Sequence, residues 1–147
     1  MTNTMFVNLP VNDLAAATHF YQALGCRKND QFSDERAASM VWSETITIQL
    51  LTRDYFATFT SKPVADARGA CAVMLALTYG TRAEVDTFAD AAAAAGGRAD
   101  VRGLMDLGWL YNRAVEDPDG HVLEAVWMDV SAMTMSRPDS ETAGLRA

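Results

Sequence analysis

The chain has 147 residues, is half hydrophobic and about a fifth charged, and carries a formal net charge of −7. That length holds one domain with a proper core, or two small fused modules. The acidic balance argues against nucleic acid and anionic membrane surfaces as partners. No apolar run approaches a membrane span, and Met1-Thr2-Asn3-Thr4 has no basic stretch leading into an apolar signal segment. Cys26 and Cys71 do not make a disulfide framework and are read as reduced thiols of a cytoplasmic protein. His19 and His121 are the only histidines, which limits any metal site.

Phe6 to Val11 alternates, with Val7, Leu9 and Val11 on one face, and predicts a strand. Pro10 cannot donate to a ladder, so the strand belongs at an edge or ends there. Asn12-Asp13 supplies an N-cap, and Leu14, Ala17, Phe20, Tyr21 and Leu24 form a helical stripe closed by Gly25. Ala38 to Ser43 and Thr45 to Thr52 read as two strands, with Ile46, Ile48 and Leu50 facing one way and Thr47, Gln49 and Leu51 the other. Arg53 to Gly69 reads as a short helical turn and a linker.

The pattern then restarts. Val73, Leu75 and Leu77 form the apolar face of a strand, and Thr81-Arg82-Ala83-Glu84 is a capping-box sequence. Val85, Phe88, Ala89 and Ala92 make the helical stripe, and Gly96-Gly97 ends it. Strands follow around Arg98 to Arg102 and Trp109 to Glu116. Asp117-Pro118-Asp119-Gly120 is a turn in which Pro118 presets φ, the aspartates cap their own backbone and Gly120 accepts a positive φ. It predicts a hairpin into His121 to Met128. Leu9 stands to Phe20 as Leu77 stands to Phe88. The chain is therefore two βαβββ copies, residues 1–62 and 71–130, joined by a linker at 63–70 and followed by a loose tail at 131–147. The expected fold is α+β, with the strands forming a curved mixed sheet, a concave pocket and the helices outside.

The words Asn8-Leu9-Pro10-Val11-Asn12-Asp13, Phe20-Tyr21-Gln22-Ala23-Leu24-Gly25, Ala94-Ala95-Gly96-Gly97 and Glu116-Asp117-Pro118-Asp119-Gly120 with Glu124 resemble the vicinal oxygen chelate superfamily. That superfamily includes glyoxalase I, extradiol dioxygenases and the bleomycin and fosfomycin resistance proteins. The resemblance covers Phe6 to Met128. It implies the paired fold, a homodimer and a ligand pocket on the concave face. In the metalloenzymes of that superfamily, histidine and glutamate ligands come from four strands. Carried over, those positions fall on Phe6, Gln49, Met74 and Glu124. Only Glu124 keeps the ligand type. A Ni²⁺, Zn²⁺ or Fe²⁺ site wants imidazole and carboxylate together, so no catalytic metal and no cofactor is expected.

Glu124 is the candidate catalytic residue, as a general base or as an anion that fixes a cationic ligand. Its structural alternative is a pair with Arg113 or a bond to an aromatic hydroxyl. Phe6, Asn8, Gln49 and Met74 line the concave side by alternation. Trp42, Trp109 and Tyr111 offer surfaces for stacking a flat ligand, or ordinary packing, and Arg113 offers a partner for a ligand carboxylate or for Glu124. The expected function is binding of a small organic ligand without a catalytic metal. The alternative is a metal-dependent glyoxalase-like lyase or isomerase, or a dioxygenase-like enzyme, with its site rebuilt from Gln49, Glu124 and His121.

Overall fold

The computed structural model describes residues 2–135. The first module runs β1 (Met5–Val11), α1 (Leu14–Ala23), β2 (Arg27–Asn29), β3 (Ala37–Val41) and β4 (Ile46–Thr52), and is followed by the short α2 (Arg53–Ala57). The second runs β5 (Met74–Thr78), α3 (Arg82–Ala94), β6 (Arg98–Ala99), β7 (Met105–Asp106), β8 (Leu110–Glu116) and β9 (Val122–Met128). A last helix, α4 (Val130–Met135), occupies the start of the expected tail, and residues 136–147 lie outside the described residues.

The caps form as their chemistry requires. The Asp13 carboxylate accepts from the Ala16 N–H at 3.0 Å, and Thr81 Oγ1 accepts from the Glu84 N–H at 3.1 Å. The strands make two mixed sheets, ordered β1-β4-β3-β2 and β5-β9-β8-β6, with β7 also paired to β8. In each module the first strand runs parallel to the last, β1 with β4 and β5 with β9. The repeat is kept to the residue: Asn8 stands opposite Gln49, and Ala76 opposite Glu124. Placing Leu9 on Leu77 likewise places Phe6 on Met74. Pro10 lies, as its missing N–H demands, on an edge strand.

One hydrophobic core serves both modules. Phe20 and Tyr21 of α1, Val85, Phe88 and Ala92 of α3, Ile48 and Leu50 of β4, and Val115 and Leu123 of the β8–β9 hairpin belong to one cluster. The helices therefore cover the sheet faces opposite Gln49 and Glu124, and the modules meet where α1 comes against the end of α3. Gly97 shows how tightly. A Cβ there would lie 2.5 Å from Phe20 Cε2 and 2.3 Å from the Glu116 carbonyl oxygen. The sequence marks Gly96-Gly97 as a helix stop. Gly96 does adopt φ +99°, while Gly97 is small because the Glu116 carbonyl of its own module and Phe20 of the first module both close on it.

The Asp117–His121 turn is the second joint. Asp117 is buried, and its carboxylate accepts from Tyr21 Oη at 2.8 Å and from the Asp119 and His121 N–H groups at 2.9 Å. Asp119 Oδ1 accepts from the Asn12 N–H at 2.8 Å, and His121 Nε2 lies 2.8 Å from the Pro10 carbonyl oxygen. Arg68 donates to the Pro118 carbonyl at 2.7 Å, which ties the linker to the same turn. Gly120 adopts φ +94°, and a Cβ on it would come within 2.9 Å of the Ala67 backbone. Burial pushes the Tyr21 hydroxyl well above the usual phenol range and the Asp117 carboxyl above the usual carboxylate range.

Candidate functional site

The inner faces, those turned away from the helices, are mixed: Gln49 and Glu124 are partly exposed, while Leu51, Asn112, Ala114 and Val126 on the same sides are buried. In β4, Ile48 and Leu50 are buried in the core while Gln49 between them is not. Phe6 and Met74, at equivalent places on the two edge strands, are 59 % and 57 % exposed, and Asn8 is exposed beside Phe6. The apolar side chains Met5 and Val73 next to them are open to solvent as well.

Glu124 has two partners, neither of them Arg113. Arg102 Nη2 donates to its Oε1 at 2.7 Å, and Asn112 Nδ2 donates to the same oxygen at 3.0 Å. Arg102 Nη2 also donates to Asn112 Oδ1 at 2.5 Å, which closes a three-residue network and fixes which way the Asn112 amide points. The Glu124 side chain is only 13 % exposed, so this is a shielded ion pair with a hydrogen-bonded amide, not a lone acid on an apolar strand. Among the described residues two enclosed side-chain polar atoms have no partner, Gln49 Oε1 and Arg102 Nε. One lies at the first-module equivalent of Glu124 and the other on the partner of Glu124.

Sequence reasoning missed Arg102 and Asn112. Asn112 was within reach, because alternation in β8 puts it on the side opposite Tyr111 and Arg113. Arg102 was not. The strand expected over Arg98 to Arg102 ends at Ala99, and Asp100 turns the chain with φ +54° into a loop. No periodic signal says where a loop residue points.

Arg113 and Tyr111 are corrected out of the set around Glu124. They face α3, on the side of Ala125 and Trp127. Arg113 Nη1 donates to Asp86 Oδ1 at 3.0 Å and lies 3.7 Å from Asp90, and its Nε and Nη2 grip both oxygens of Asp100 at 3.0 and 2.8 Å. Tyr111 Oη donates to Asp86 Oδ1 at 2.6 Å, a bond that holds the Asp86 carboxyl below its ordinary range. Tyr111 and Trp127 instead form a platform under the Arg82 guanidinium, which lies 4.8 and 5.0 Å from their ring centres. Trp42 packs on Phe88 in the core, at 6.1 Å between ring centres. Trp109 is half-buried just before β8, where its carbonyl accepts from the Asp129 N–H at 2.7 Å.

The four positions that would carry a metal offer a phenyl ring, an amide, a thioether and a carboxylate already bonded to a guanidinium. That set does not fit a transition ion, which wants imidazole and free carboxylate donors. His121 does not repair it, because its ring is turned to Pro10. Among the described residues no three His, Cys, Asp or Glu side chains gather closely enough to hold an ion.

A cavity lies elsewhere. A cleft of about 360 Å³ opens between β1 and β5 under the linker, lined by Leu9, Phe56, Val73, Leu75 and Val122 with His121 at its rim. Neither Gln49 nor Glu124 lines it. Both cysteines are free, and burial raises the Cys26 thiol to about 12, which leaves it inert at neutral pH. Among the described residues no helix is long and apolar enough to cross a membrane.

Residues 5–125 match the profile of the Glyoxalase/Bleomycin resistance protein/Dioxygenase superfamily. No curated protein matches the chain significantly. Among solved structures, hypothetical protein SA1046 from S. aureus superposes with a TM-score of 0.72 at 25% identity, over 86% of this chain and 94% of that one. A glyoxalase-related enzyme from Fulvimarina pelagi gives 0.72 at 20% identity, over 86% and 88%. The fosfomycin resistance protein FosX from Mesorhizobium loti gives 0.65 at 12% identity, over 91% and 98%. At these identities the last two likenesses concern the fold.

Proposed function

This chain belongs to the glyoxalase/bleomycin resistance protein/dioxygenase superfamily, and we propose that it binds a small organic ligand on the inner sheet face, around Gln49 and Glu124, without a catalytic metal. One observation carries the reading: the single carboxylate at the four ligand positions is bonded to Arg102 and Asn112. A carboxylate so engaged orients a ligand through a polar network, and any chemistry would centre on it. Gln49 Oε1, enclosed and unpartnered, supplies an acceptor that a ligand donor would satisfy. Phe6 and Met74 supply apolar contact. Their exposure, with that of Met5 and Val73, supports a homodimer in which these edges are covered by a second copy.

Metal analysis of tag-free protein tests the first half. The expected result is no stoichiometric transition metal, while a full equivalent that is lost in Glu124→Ala would move the protein to the metal-dependent lyase or dioxygenase class. A small-molecule screen read by backbone NMR tests the second half. Binders should shift the amides of Gln49 and Glu124, and a screen without such a binder would end the proposal. Light scattering should give twice the chain mass, reduced towards one by Phe6→Lys.

A further inference from the structure

The network around Glu124 also bears on the charge of the ligand. We infer that Arg102 is the resident cation of the inner face, standing beside Glu124 where a metal ion would otherwise stand, and that it binds a carboxylate of the ligand. This rests on the reading of the inner face as the ligand site and adds to it a chemical class.

Arg102 is held by a built loop. Asp100, two residues earlier, adopts φ +54°, a conformation few non-glycine residues take. Both its carboxylate oxygens are gripped by Arg113 from the helix side, and the next N–H, of Val101, donates to the Ala114 carbonyl at 3.2 Å. The chain therefore crosses the sheet at a fixed place, and Arg102 comes down over Asn112 and Glu124. Arg113, which never touches the inner face, acts as a positioning residue for Arg102.

The guanidinium has donors to spare. It carries five N–H groups in a planar fork. One nitrogen, Nη2, serves Glu124 and Asn112, while Nε has no partner and the side chain is still 38 % exposed. The same module shows that one arginine can serve several carboxylates, since Arg113 lies against Asp86, Asp90 and Asp100. A planar carboxylate is the partner that uses two donors of the fork at once. A small turn of the guanidinium would bring Nε into that pair while Asn112 keeps hold of Nη2.

This reading and the one in which Glu124 receives a cationic ligand predict opposite responses to the same substitution. The test is titration of metal-free protein with benzoate, neutral benzamide and benzylammonium at constant ionic strength, read by calorimetry and by ¹⁵N shifts that include the arginine Nε. Benzoate should bind, shift the Arg102 Nε resonance, and bind about tenfold more weakly to Arg102→Gln, with Arg102→Lys between the two. Glu124→Gln should tighten benzoate severalfold, because it removes the competing anion. Asp100→Ala should weaken benzoate while Arg102 is intact, as loss of positioning requires. Circular dichroism melts establish that each variant is folded. Benzoate affinity unchanged in Arg102→Gln, or lost in Glu124→Gln, overturns the inference. Binding of benzamide or benzylammonium alone at the inner face also overturns it but leaves the ligand site standing. No inner-face shift with any of the three removes both.

Discussion

The two modules are one plan carried out twice, and they differ where the plan is put to use. In the first, the strands β3 and β4 are joined through Ser43-Glu44-Thr45, a turn whose Ser43 and Glu44 are exposed. In the second, the corresponding join is Asp117 to His121, which is buried in the interface and bonded to Tyr21, Asn12, Pro10 and Arg68. The inner faces differ in the same sense. Gln49 has an unpartnered oxygen at the position where Glu124 has an arginine and an amide. The shared parts are those that let a sheet and a helix bury one another. The parts peculiar to the second module are a joint and a charged site.

Substitutions that treat the modules as equivalent should show that they are not. The largest effect is expected at the two helix stops. Gly97→Ala would drive a Cβ to 2.5 Å from Phe20 and 2.3 Å from the Glu116 carbonyl, and should cost about 3 kcal/mol or more in urea unfolding. At the stop of α1, a Cβ on Gly25 meets nothing within 4 Å, so Gly25→Ala should cost only about 1 kcal/mol, from its φ of +109°. Equal losses at the two sites would refute the account of the joint.

The two turns come next. Asp117→Ala strands a buried hydroxyl and two turn N–H groups and should cost about 3 kcal/mol, whereas Glu44→Ala should stay within about 0.5 kcal/mol. Tyr21→Phe removes one of those bonds and should cost about 1–2 kcal/mol, with Asp117 left short of a donor. If Tyr21→Phe is neutral, the hydroxyl is not part of the joint.

The smallest effect is electrostatic. Arg82 holds the Asp106 carboxyl down at about 2, and Asp86 and Asp100 are also held below their ordinary range, by bonds from Tyr111 and Arg113 respectively. Below its ordinary value of about 4 the unfolded chain takes up protons that the folded chain refuses, so stability is present above that pH and lost as pH falls towards about 2. These groups are largely exposed and screened by solvent, so the decline in melting temperature should be shallow and should shrink in high salt. Arg82→Gln should flatten it further.

Much of the fold was legible because periodicity reports burial directly. The spacing from Leu9 to Phe20 and from Leu77 to Phe88 announced the repeat, and alternation put Gln49 and Glu124 off the core face. The candidate site was legible only in part. The position of Glu124 followed from its strand, but its partner did not. Arg113 lies on the neighbouring strand and looked like that partner, yet Arg113 pairs across the ladder with Ala125 and so faces α3.

By itself the sequence determined what depends on neighbours close along the chain: the caps at Asp13 and Thr81, the turn at Asp117 to Gly120, the sidedness of each strand. Tertiary structure alone decided three things. It made that turn an anchor for the first module, made Gly97 a contact surface, and brought Arg102 to Glu124. Each is a meeting of residues far apart in sequence, set by how two bodies dock and where an aperiodic loop crosses a sheet. Hydrophobic patterning encodes which face is buried, but it carries no record of which polar group will be waiting on the other side.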